Sequence, residues 1–356
     1  MDLPRLRLHA QQLATPSFEK PSEVVRWFGA VQAQDYLGAL WAVGLRLPNA
    51  TERSIEDALK DRSILRTWPM RGTLHFVAAE DARWMLELTS PRIVARSATR
   101  LAQLGLDEPT FKKSRKVIAR VLRDGKQLSR GTMYAALEAA KISTAGQRGI
   151  HILWRVAQDG LICFGAREGK QQTFTLLEEW APDARRMARD EALAEVATRY
   201  FTAHGPATLQ DFTWWTGLAV AEARTALAMV ESRLVFERVD DTTYWRCAGS
   251  RPSPKPAPGA HLLPAFDEYL VGYTDRTAVL ENKLAVNAGG GMLAPTMVIG
   301  GQVVGTWKRV LAKKGVRIAL SPFTALDASQ LRAMSAPAAR YGAFLGSEAS
   351  VSVRKI

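Results

Sequence analysis

The sequence is poor in cysteine and has no long apolar run. Cys163 and Cys247 are the only cysteines among 356 residues. They are too few and too far apart to form a metal cluster or a disulfide framework, so we expect both to be core thiols. An apolar run long enough to span a membrane, about 18 residues, does not occur, and the N-terminal MDLPRLRLHA has no signal-peptide pattern. These absences predict a cytoplasmic protein with no membrane partner.

The motifs of common cofactor sites are absent as well. The glycine run Gly289–Gly291 lacks the Lys-Ser/Thr pair that completes a phosphate-binding loop. The His, Cys, Asp and Glu residues show no metal-ligand spacing, and no lysine stands in a setting that favours a Schiff base. We therefore predict no metal and no cofactor.

Acidic residues are in short supply relative to basic ones. The chain has 48 Lys and Arg against 35 Asp and Glu, a formal net charge of +13. Such an excess favours a polyanionic partner, because basic side chains that neutralise phosphates release counterions. The alternative is a basic protein that binds no polyanion, since charge by itself says nothing about fold.

Residues 105–182 show a helical pattern followed by two strands. Glu108–Arg123 and Gly149–Asp159 are predicted helices, and Ser129 is placed to cap a helix between them. Leu161–Gly165 and Gln172–Leu177 are predicted strands that flank a glycine-containing turn. Three helices followed by a two-stranded ribbon are typical of a winged helix.

The same pattern recurs downstream and upstream. Downstream, the predicted helices are Asp190–His204, Leu209–Thr216 and Ala219–Ser232, followed by strands at Leu234–Val239 and Tyr244–Cys247. Upstream, the predicted helices are Leu3–Gln12, Ser22–Val31 and Tyr36–Leu47, followed by a hairpin at Leu65–Val77. Such repetition predicts tandem winged-helix units.

Composition changes near residue 250. Ser250–Gly259, SRPSPKPAPG, is predicted to be an extended linker, and the sequence beyond it is rich in strand patterns. Gly300-Gly301 stands between two alternating runs, which predicts a hairpin. A second turn follows at Lys313–Gly315, and Asp327 is placed to cap a final helix.

The sequence therefore predicts an α+β fold of three tandem winged-helix (helix-turn-helix) units followed by a small C-terminal β-barrel-like domain. The predicted boundaries are 1–104 for unit 1, which carries the catalytic motif described below, 105–182 for unit 2, 183–250 for unit 3, 251–259 for the proline-rich linker, and 260–356 for the β-barrel-like domain with its terminal helix.

Three motifs point to a family. They are Ala30–Asp35 (AVQAQD), Thr67–Val77 (TWPMRGTLHFV) and His261–Arg276 (HLLPAFDEYLVGYTDR), supported by Gly305–Arg309 (GTWKR). In their order and separation they resemble the AlkZ-type winged-helix DNA glycosylases, which unhook interstrand crosslinks and excise bulky N7-alkylated purines. The resemblance covers essentially the whole chain. It implies a hydrolase of N-glycosyl bonds acting on double-stranded DNA with alkylated or crosslinked bases, and a fold of three winged helices with a C-terminal barrel.

Gln32-Ala33-Gln34 resembles the catalytic motif of this family. One branch of the family has Gln-apolar-Gln and is associated with crosslink unhooking. Another has Gln-apolar-Asp and is broader on simple N7-alkyl lesions. The resemblance implies that Gln32 and Gln34 are catalytic and places this chain with the first branch.

The chemistry of such a reaction suits two amides. An N7-alkylated purine is cationic and leaves readily, so an oxocarbenium-like sugar and an attacking water remain, and two amides can orient that water. Side chains two positions apart share a side only on an extended segment. Gln32 and Gln34 can therefore converge only if the preceding helix ends near Val31, and Asp35 then suits the cap of the next helix. The alternative is a pair of surface glutamines at a helix end.

The second motif supplies Trp68, Arg71 and His75 as candidates for binding substrate or DNA. If Thr67–Val77 is a hairpin, Arg71, Thr73 and His75 share one face. Such a face suits a phosphate or the lining of a base pocket. The alternative is a solvated arginine and a hydrogen-bonded structural histidine.

Further candidates come from the third motif, a tryptophan pair and scattered basic residues. In the third motif we expect four residues to hold the barrel against the winged helices rather than to act in catalysis: Asp267, Glu268, Tyr269 and Tyr273. We expect Trp214 and Trp215 to be core residues rather than stacking platforms. The candidates for contacts with the DNA backbone are Arg130, Lys308 and Arg309.

A second class of function also fits tandem helix-turn-helix units, a non-catalytic winged-helix transcription regulator. A regulator has no need of Gln32 and Gln34 or of the two later motifs, and it should dimerise on a palindrome. The sequence has no dimerisation heptads, so we expect a monomer. As a glycosylase, it is expected to act on nucleoid DNA in the cytoplasm.

Overall fold

The fold is described from a computed structural model, over residues 1–249, 259–281, 286–287, 293–311 and 315–354. The predicted linker lies outside the described residues except for Gly259, as do the glycine run at 289–291 and most of the predicted turn at 313–315. None of the described helices is long and apolar enough to cross a membrane.

Residues 1–104 mix helices with short strands. The helices are α1 (Leu3–Ala10), α2 (Pro21–Phe28), α3 (Tyr36–Gly44), α4 (Glu52–Lys60), α5 (Ala82–Arg96) and α6 (Ala98–Gln103). The strands are β1 (Ala30–Gln32), β2 (Ile64–Thr67) and β3 (His75–Ala78). Gly29 adopts a left-handed backbone with φ +81° and terminates α2. The helix predicted to reach Val31 therefore ends earlier, and the chain continues as β1.

Residues 105–249 contain two successive runs of helices and strands. The first run is α7 (Glu108–Leu122), β4 (Leu128–Ser129), α8 (Arg130–Ala139), α9 (Arg148–Gln158), β5 (Ile162–Phe164), β6 (Thr173–Leu176) and α10 (Leu177–Trp180). The second run is α11 (Arg189–Ala203), α12 (Leu209–Thr216), α13 (Val220–Val230), β7 (Leu234–Val239) and β8 (Thr242–Cys247). Ser129 accepts a hydrogen bond from the backbone N–H of Thr132 and caps α8, as predicted.

One antiparallel sheet joins the N-terminal part to the first of these runs. Its strand order is β1-β3-β2-β5-β6-β4. β2 pairs with β3, with Leu65 opposite Val77, which confirms that these two segments form the predicted hairpin. β1 adds to the other side of β3, with Gln32 opposite His75. Because β5 pairs with β2, strands from the first two predicted units belong to a single sheet.

The C-terminal part contains a second sheet. Its strands are β9 (Ala260–Leu263), β10 (Thr296–Ile299), β11 (Gln302–Leu311), β12 (Val316–Pro322) and β13 (Ala349–Val353). The helices of this part are α14 (Glu268–Val271), α15 (Ala328–Ala333) and α16 (Ser335–Phe344). The strand order β13-β12-β11-β10-β9 leaves β13 and β9 at opposite edges. The described strands therefore form an open sheet, and the β-barrel-like character of the C-terminal domain stays a prediction. The predicted hairpin is confirmed, since Gly300 and Gly301 have φ of 59° and 86° between the paired strands β10 and β11.

The C-terminal sheet and the N-terminal helices share one hydrophobic core. Trp41 of α3 and Trp307 of β11 each pack edge-on against Tyr341 of α16, with ring centroids 5.0 Å apart. Trp41 also donates its indole N–H to the carbonyl of Leu262 at 2.7 Å. An apolar sheet face that packs against helices is already buried, which removes the physical need for the sheet to close on itself.

A buried ion pair fixes the start of α14. Arg46 donates to both carboxylate oxygens of Asp267, at 2.9 and 3.0 Å, and both side chains are almost fully buried. Asp267 also accepts the backbone N–H of Tyr269 at 3.0 Å and caps the helix. The pair ties the segment after α3 to the helix that begins at Glu268.

Breaking this pair should destabilise the fold strongly. We expect Asp267→Ala to lower the free energy of unfolding by about 3–5 kcal/mol, because it leaves the Arg46 guanidinium buried without its counter-charge. Urea denaturation followed by circular dichroism measures the change. The matched control is Asp57→Ala, which removes the exposed partner of Arg53 and Lys60 and should change stability little. Equal stability of the two variants would contradict the prediction.

Candidate active site

Gln32 is the last residue of β1 and Gln34 lies in the bend that follows it, so neither glutamine is helical. β1 ends at Gln32, and α3 begins at Tyr36. Gln32 is 8% exposed, whereas Gln34 is largely exposed. Asp35 occupies the N-cap position of α3, but its side chain makes no capping hydrogen bond with the described backbone. Its carboxylate lies over Gly38 instead, where an added Cβ would be 2.5 Å from Oδ2.

Gln32 is held through its backbone and through its side chain. Its backbone N–H donates to Oε1 of Glu268 at 2.9 Å, across 236 positions of sequence. Its side-chain Oε1 accepts from Nη2 of Arg71 at 3.0 Å. An arginine has only donors, so the amide oxygen and not the NH2 group must face Arg71. The chemistry of the neighbour therefore fixes the orientation of the Gln32 amide.

Gln34 is oriented in the same way by a backbone group. Its Oε1 accepts the backbone N–H of Leu74 at 3.3 Å, and a peptide N–H can only donate. Between the two glutamines, the carbonyl of Ala33 accepts from Arg66 at 2.7 and 3.1 Å. Each glutamine oxygen keeps a second lone pair, which can accept a hydrogen bond from a water molecule.

Arg71 lies in a left-handed turn between β2 and β3. Met70, Arg71 and Gly72 have φ of 29°, 55° and 74°, a region that non-glycine residues rarely occupy. The turn directs the guanidinium towards α12, where Nη1 donates to the carbonyl of Trp215. Burial lowers the pKa of Arg71, and the negative charge of Glu268 opposes that shift.

The prediction that Arg71, Thr73 and His75 share one face of a hairpin is wrong. Residues 68–74 leave the strand conformation, and Met70–Gly72 form a turn of 3-10 helix. The alternation of side chains along a strand therefore does not extend to Arg71.

His75 is a buried and neutral histidine. It has no exposed surface, and its Nδ1 lies 2.9 Å from the carbonyl oxygen of Thr73. Burial and the positive charge of Arg71 lower the pKa of His75 to about 4, so the ring is uncharged near neutral pH. This placement fits the structural alternative better than a contact with phosphate.

Glu268 is the charged group directly behind Gln32. It is fully buried, and its Oε2 accepts the indole N–H of Trp215 at 2.9 Å and lies 3.1 Å from Nε2 of His204. Burial alone would raise the pKa of Glu268, but the hydrogen bonds with the His204 side chain and with the backbone N–H of Gln32 hold that pKa below its ordinary value. Glu268 is therefore a buried carboxylate at neutral pH. Within the described residues, no three His, Cys, Asp or Glu side chains are grouped to hold a metal ion.

A broad cleft opens beside Arg71, with a volume of about 1600 Å³. Arg71, Trp68 and Trp214 lie on its wall. Trp214 is 46% exposed, so the expectation that it is a core residue is wrong, whereas Trp215 is fully buried as expected. Trp68 is 7% exposed and packs against Phe164 with ring centroids 4.8 Å apart, so little of its ring reaches the cleft.

Arginines dominate the charge of the cleft. In addition to Arg71, the described lining contains the exposed residues Arg92, Arg96, Arg100 and Arg224, against one acidic residue, Asp241. Arg92, Arg96 and Arg100 recur every four residues along α5 and α6, a spacing that places helical side chains on one side. That spacing is a sequence signal that our predictions missed.

The three predicted contacts with the DNA backbone lie elsewhere. Arg130 is exposed at the start of α8, and Lys308 is exposed on β11. Arg309 donates to Oη of Tyr341 at 3.1 Å. None of the three belongs to the described lining of the cleft, and their contact with DNA stays a prediction.

Comparison with known proteins establishes the family. A family model described as DNA glycosylase AlkZ-like matches residues 25–344. The chain belongs to the AlkZ-like DNA glycosylases. An interstrand DNA cross-link repair glycosylase of Streptomyces sahachiroi is 28% identical over 351 residues, which cover 94% of this chain and 93% of that protein. The solved structure of the Streptomyces sahachiroi DNA glycosylase AlkZ superposes with a TM-score of 0.81 at 25% identity, over 99% of this chain and 98% of that chain.

Membership of the AlkZ-like family confirms the resemblance that the three motifs indicate. The protein is a DNA glycosylase and thus a hydrolase of N-glycosyl bonds. The alternative of a non-catalytic transcription regulator is therefore set aside. The α+β class is confirmed by the mixture of helices and strands and by the match to the AlkZ structure.

This AlkZ-like glycosylase should lose salt-sensitive DNA affinity when a cleft arginine is removed. We expect Arg96→Ala to weaken duplex binding and to reduce the slope of log K against log salt by about 1, because one fewer phosphate is neutralised. Fluorescence anisotropy with an undamaged duplex over a salt series measures both quantities. The matched control is Arg53→Ala, since Arg53 is 88% exposed on α4 and outside the described cleft lining. An unchanged slope for Arg96→Ala would show that the cleft does not hold the DNA backbone.

Proposed function

We propose that the protein hydrolyses the N-glycosidic bond of N7-alkylated purines in double-stranded DNA, including the unhooking of interstrand crosslinks, with Gln32 and Gln34 positioning the attacking water. The observation that carries the proposal is the non-helical Gln32-Ala33-Gln34 segment, whose two amide oxygens each face a group that can only donate. In this proposal the enzyme acts as a monomer on nucleoid DNA in the cytoplasm.

Winged-helix units account for the DNA-binding surface in this proposal. Helices α7, α8 and α9 precede the strand pair β5–β6, and α11, α12 and α13 precede β7–β8, which is the order of a winged helix. The recognition helix of such a unit, here its third helix, enters the major groove. The cleft lining includes Ile150, His151 and Trp154 from α9, and Arg224 and Leu227 from α13. Both third helices therefore contribute to one cleft, which supports a duplex bound there.

The two glutamines suit the attack of water on the sugar. N7 alkylation makes the purine a cationic leaving group, so its departure needs little acid catalysis. A water that donates one hydrogen bond to each of the Gln32 and Gln34 oxygens can direct its own lone pair at C1′. The glycosidic electron pair leaves with the alkylated purine, which becomes neutral, and the proton that the attacking water loses passes to solvent. His75 is buried on the neighbouring strand β3, and its pKa of about 4 makes it a weak base, so it carries no proton transfer in the proposal.

Glu268 suits the stabilisation of the cationic sugar. Its carboxylate is buried and accepts the backbone N–H of Gln32. A fixed negative charge acts over longer range in a site of low dielectric constant than in water. With neutral amides at positions 32 and 34, departure of the base still depends on the positive charge of the alkylated purine, which limits action on undamaged DNA.

Three observations favour crosslinked DNA among the substrates. The relative from Streptomyces sahachiroi is named as an interstrand DNA cross-link repair glycosylase, and Gln-apolar-Gln is the motif that the resemblance associates with unhooking. The cleft volume of about 1600 Å³ also exceeds the roughly 300–1,000 Å³ of a small-molecule pocket. A bulky lesion held within a duplex fits such a volume.

The proposal predicts that each glutamine is needed for the chemical step. We expect Gln32→Ala and Gln34→Ala each to lower the rate of base release by about 10²–10⁴-fold, because a group that positions the water is lost. DNA affinity should stay nearly unchanged. The double variant should cost less than the product of the single effects, because groups that act on one water are not independent. Single-turnover base release from duplexes with N7-methylguanine or an interstrand crosslink measures these rates.

Gln171→Ala is the matched control for these variants, since Gln171 is exposed and lies outside the described cleft lining. Circular dichroism checks that each variant is folded. If Gln32→Ala and Gln34→Ala both release base at the wild-type rate, the two glutamines are not the catalytic pair, and Asp35 becomes the next candidate.

A further inference from the structure

We propose that Arg71 is a positioning residue that acts on the reaction through Gln32, and that it is not a contact for a DNA phosphate. This inference rests on the proposed role of Gln32 in positioning water. It changes the role that the sequence motif predicts for Arg71, from binding DNA to holding another side chain.

A closed ring of hydrogen bonds connects Arg71 with Gln32, Glu268 and Trp215. Glu268 accepts the backbone N–H of Gln32 through Oε1 and the indole N–H of Trp215 through Oε2, both at 2.9 Å. Arg71 closes the ring, because Nη2 donates to Oε1 of Gln32 at 3.0 Å and Nη1 donates to the carbonyl of Trp215. The ring joins β1, the turn between β2 and β3, α12 and α14.

The ring controls which atom of the Gln32 amide faces the reaction. An amide can rotate by half a turn and exchange its oxygen for its NH2 group at little steric cost, and the two groups have opposite hydrogen-bonding roles. The Arg71 guanidinium opposes that exchange, because it would then face another donor. With the oxygen fixed, its second lone pair stays in one place as an acceptor for a water proton. Loss of Arg71 should therefore disorder the water while Gln32 itself remains.

The packing around the turn holds Arg71 in this role. A Cβ added at Gly217 would lie 3.3 Å from both Cγ and the backbone nitrogen of Arg71, and one added at Gly72 would lie 2.8 Å from Cγ2 of Ile93. Met70 and Arg71 both have positive φ, a strained conformation that persists only where the surroundings enforce it. The guanidinium is thus aimed by the backbone as well as by its hydrogen bonds.

The partners of Arg71 distinguish it from the other arginines of the cleft. Both of its terminal nitrogens already donate to acceptors of the protein, on Gln32 and Trp215. Arg96 and Arg224 are exposed along the cleft wall. An exposed guanidinium can approach a phosphate with its paired donors, whereas Arg71 would have to abandon the ring to do so. We therefore expect the exposed arginines to make the contacts with phosphates.

A double-mutant cycle between Arg71 and Gln32 tests this inference. The variants are Arg71→Ala, Gln32→Ala and the two combined, with a duplex that contains one N7-methylguanine. The readouts are the single-turnover rate of base release at saturating enzyme and the Kd from fluorescence anisotropy. We expect Arg71→Ala to lower the rate by about 10²-fold, the typical effect of a misplaced reacting group, and to leave the Kd unchanged. The combined variant should be no slower than Gln32→Ala alone, because Arg71 acts only through Gln32.

Arg71→Lys separates the effect of the positive charge from the effect of the guanidinium geometry. It also keeps the inference testable if Arg71→Ala does not fold. A lysine keeps the positive charge but lacks the planar fork that reaches both Gln32 and Trp215. We expect Arg71→Lys to bind DNA with the wild-type Kd and salt slope and still to release base more slowly. The matched control is Arg53→Ala, which removes an exposed arginine outside the described cleft lining.

The outcomes are distinct. A raised Kd and a reduced salt slope in Arg71→Ala, with the rate at saturation unchanged, would establish a phosphate contact and overturn the inference. Independent, multiplicative losses in the combined variant would overturn it as well. If Gln32→Ala releases base at the wild-type rate, the proposed function of Gln32 fails. If Gln32→Ala is slow while both Arg71 variants are as fast as the wild type, only the inference about Arg71 fails.

Discussion

A carboxylate buried away from water must be satisfied by the protein itself, because an unpaired buried charge is very costly. Glu268 meets this requirement with donors from distant parts of the chain: the backbone of Gln32, the indole of Trp215 and the imidazole of His204. These groups belong to β1, to α12 and to the end of α11. Moving any one of these elements would break a hydrogen bond to the buried charge, so their positions are coupled. The fold as a whole, and not only the short pairing of β1 with β3, therefore fixes the strand that ends at Gln32.

The sequence predicts those features of the site that depend on local chemistry. That the helix ends before Gln32 follows from the requirement that side chains two positions apart converge, and α2 does end at Phe28, with Gly29 at its C-cap. The hydrogen bond between Gln32 and Glu268 spans 236 positions, and no local sequence pattern predicts it. The left-handed conformation of Met70 and Arg71 was missed for a similar reason, because a strand pattern was continued through a segment whose turn is enforced by packing from elsewhere.

The fold shows the same division between local and distant causes. Ser129 at the start of α8 and the glycine pair in the β10–β11 hairpin are local signals, and both gave correct predictions. Closure of the C-terminal sheet depends on whether α3 and α16 cover it, which no turn residue within the sheet determines. Trp214 and Trp215 are adjacent on α12, and neighbouring positions on a helix point in different directions. One prediction for both tryptophans therefore had to fail for one of them.

The distribution of charge gives a physical reason for neutral side chains at Gln32 and Gln34, the proposed catalytic pair. The cleft is lined by arginines with one acidic residue in the described lining, which suits an anionic DNA backbone, whereas a sugar that becomes cationic needs the opposite sign. In the proposed mechanism Glu268 supplies that sign from the interior, where it accepts the backbone N–H of Gln32. The two demands conflict if both charges face the same space, because a carboxylate in the cleft repels the phosphates that the arginines attract. Gln32 carries no net charge and contacts both regions, because its side chain accepts from Arg71 on the cleft wall and its backbone N–H donates to the buried Glu268.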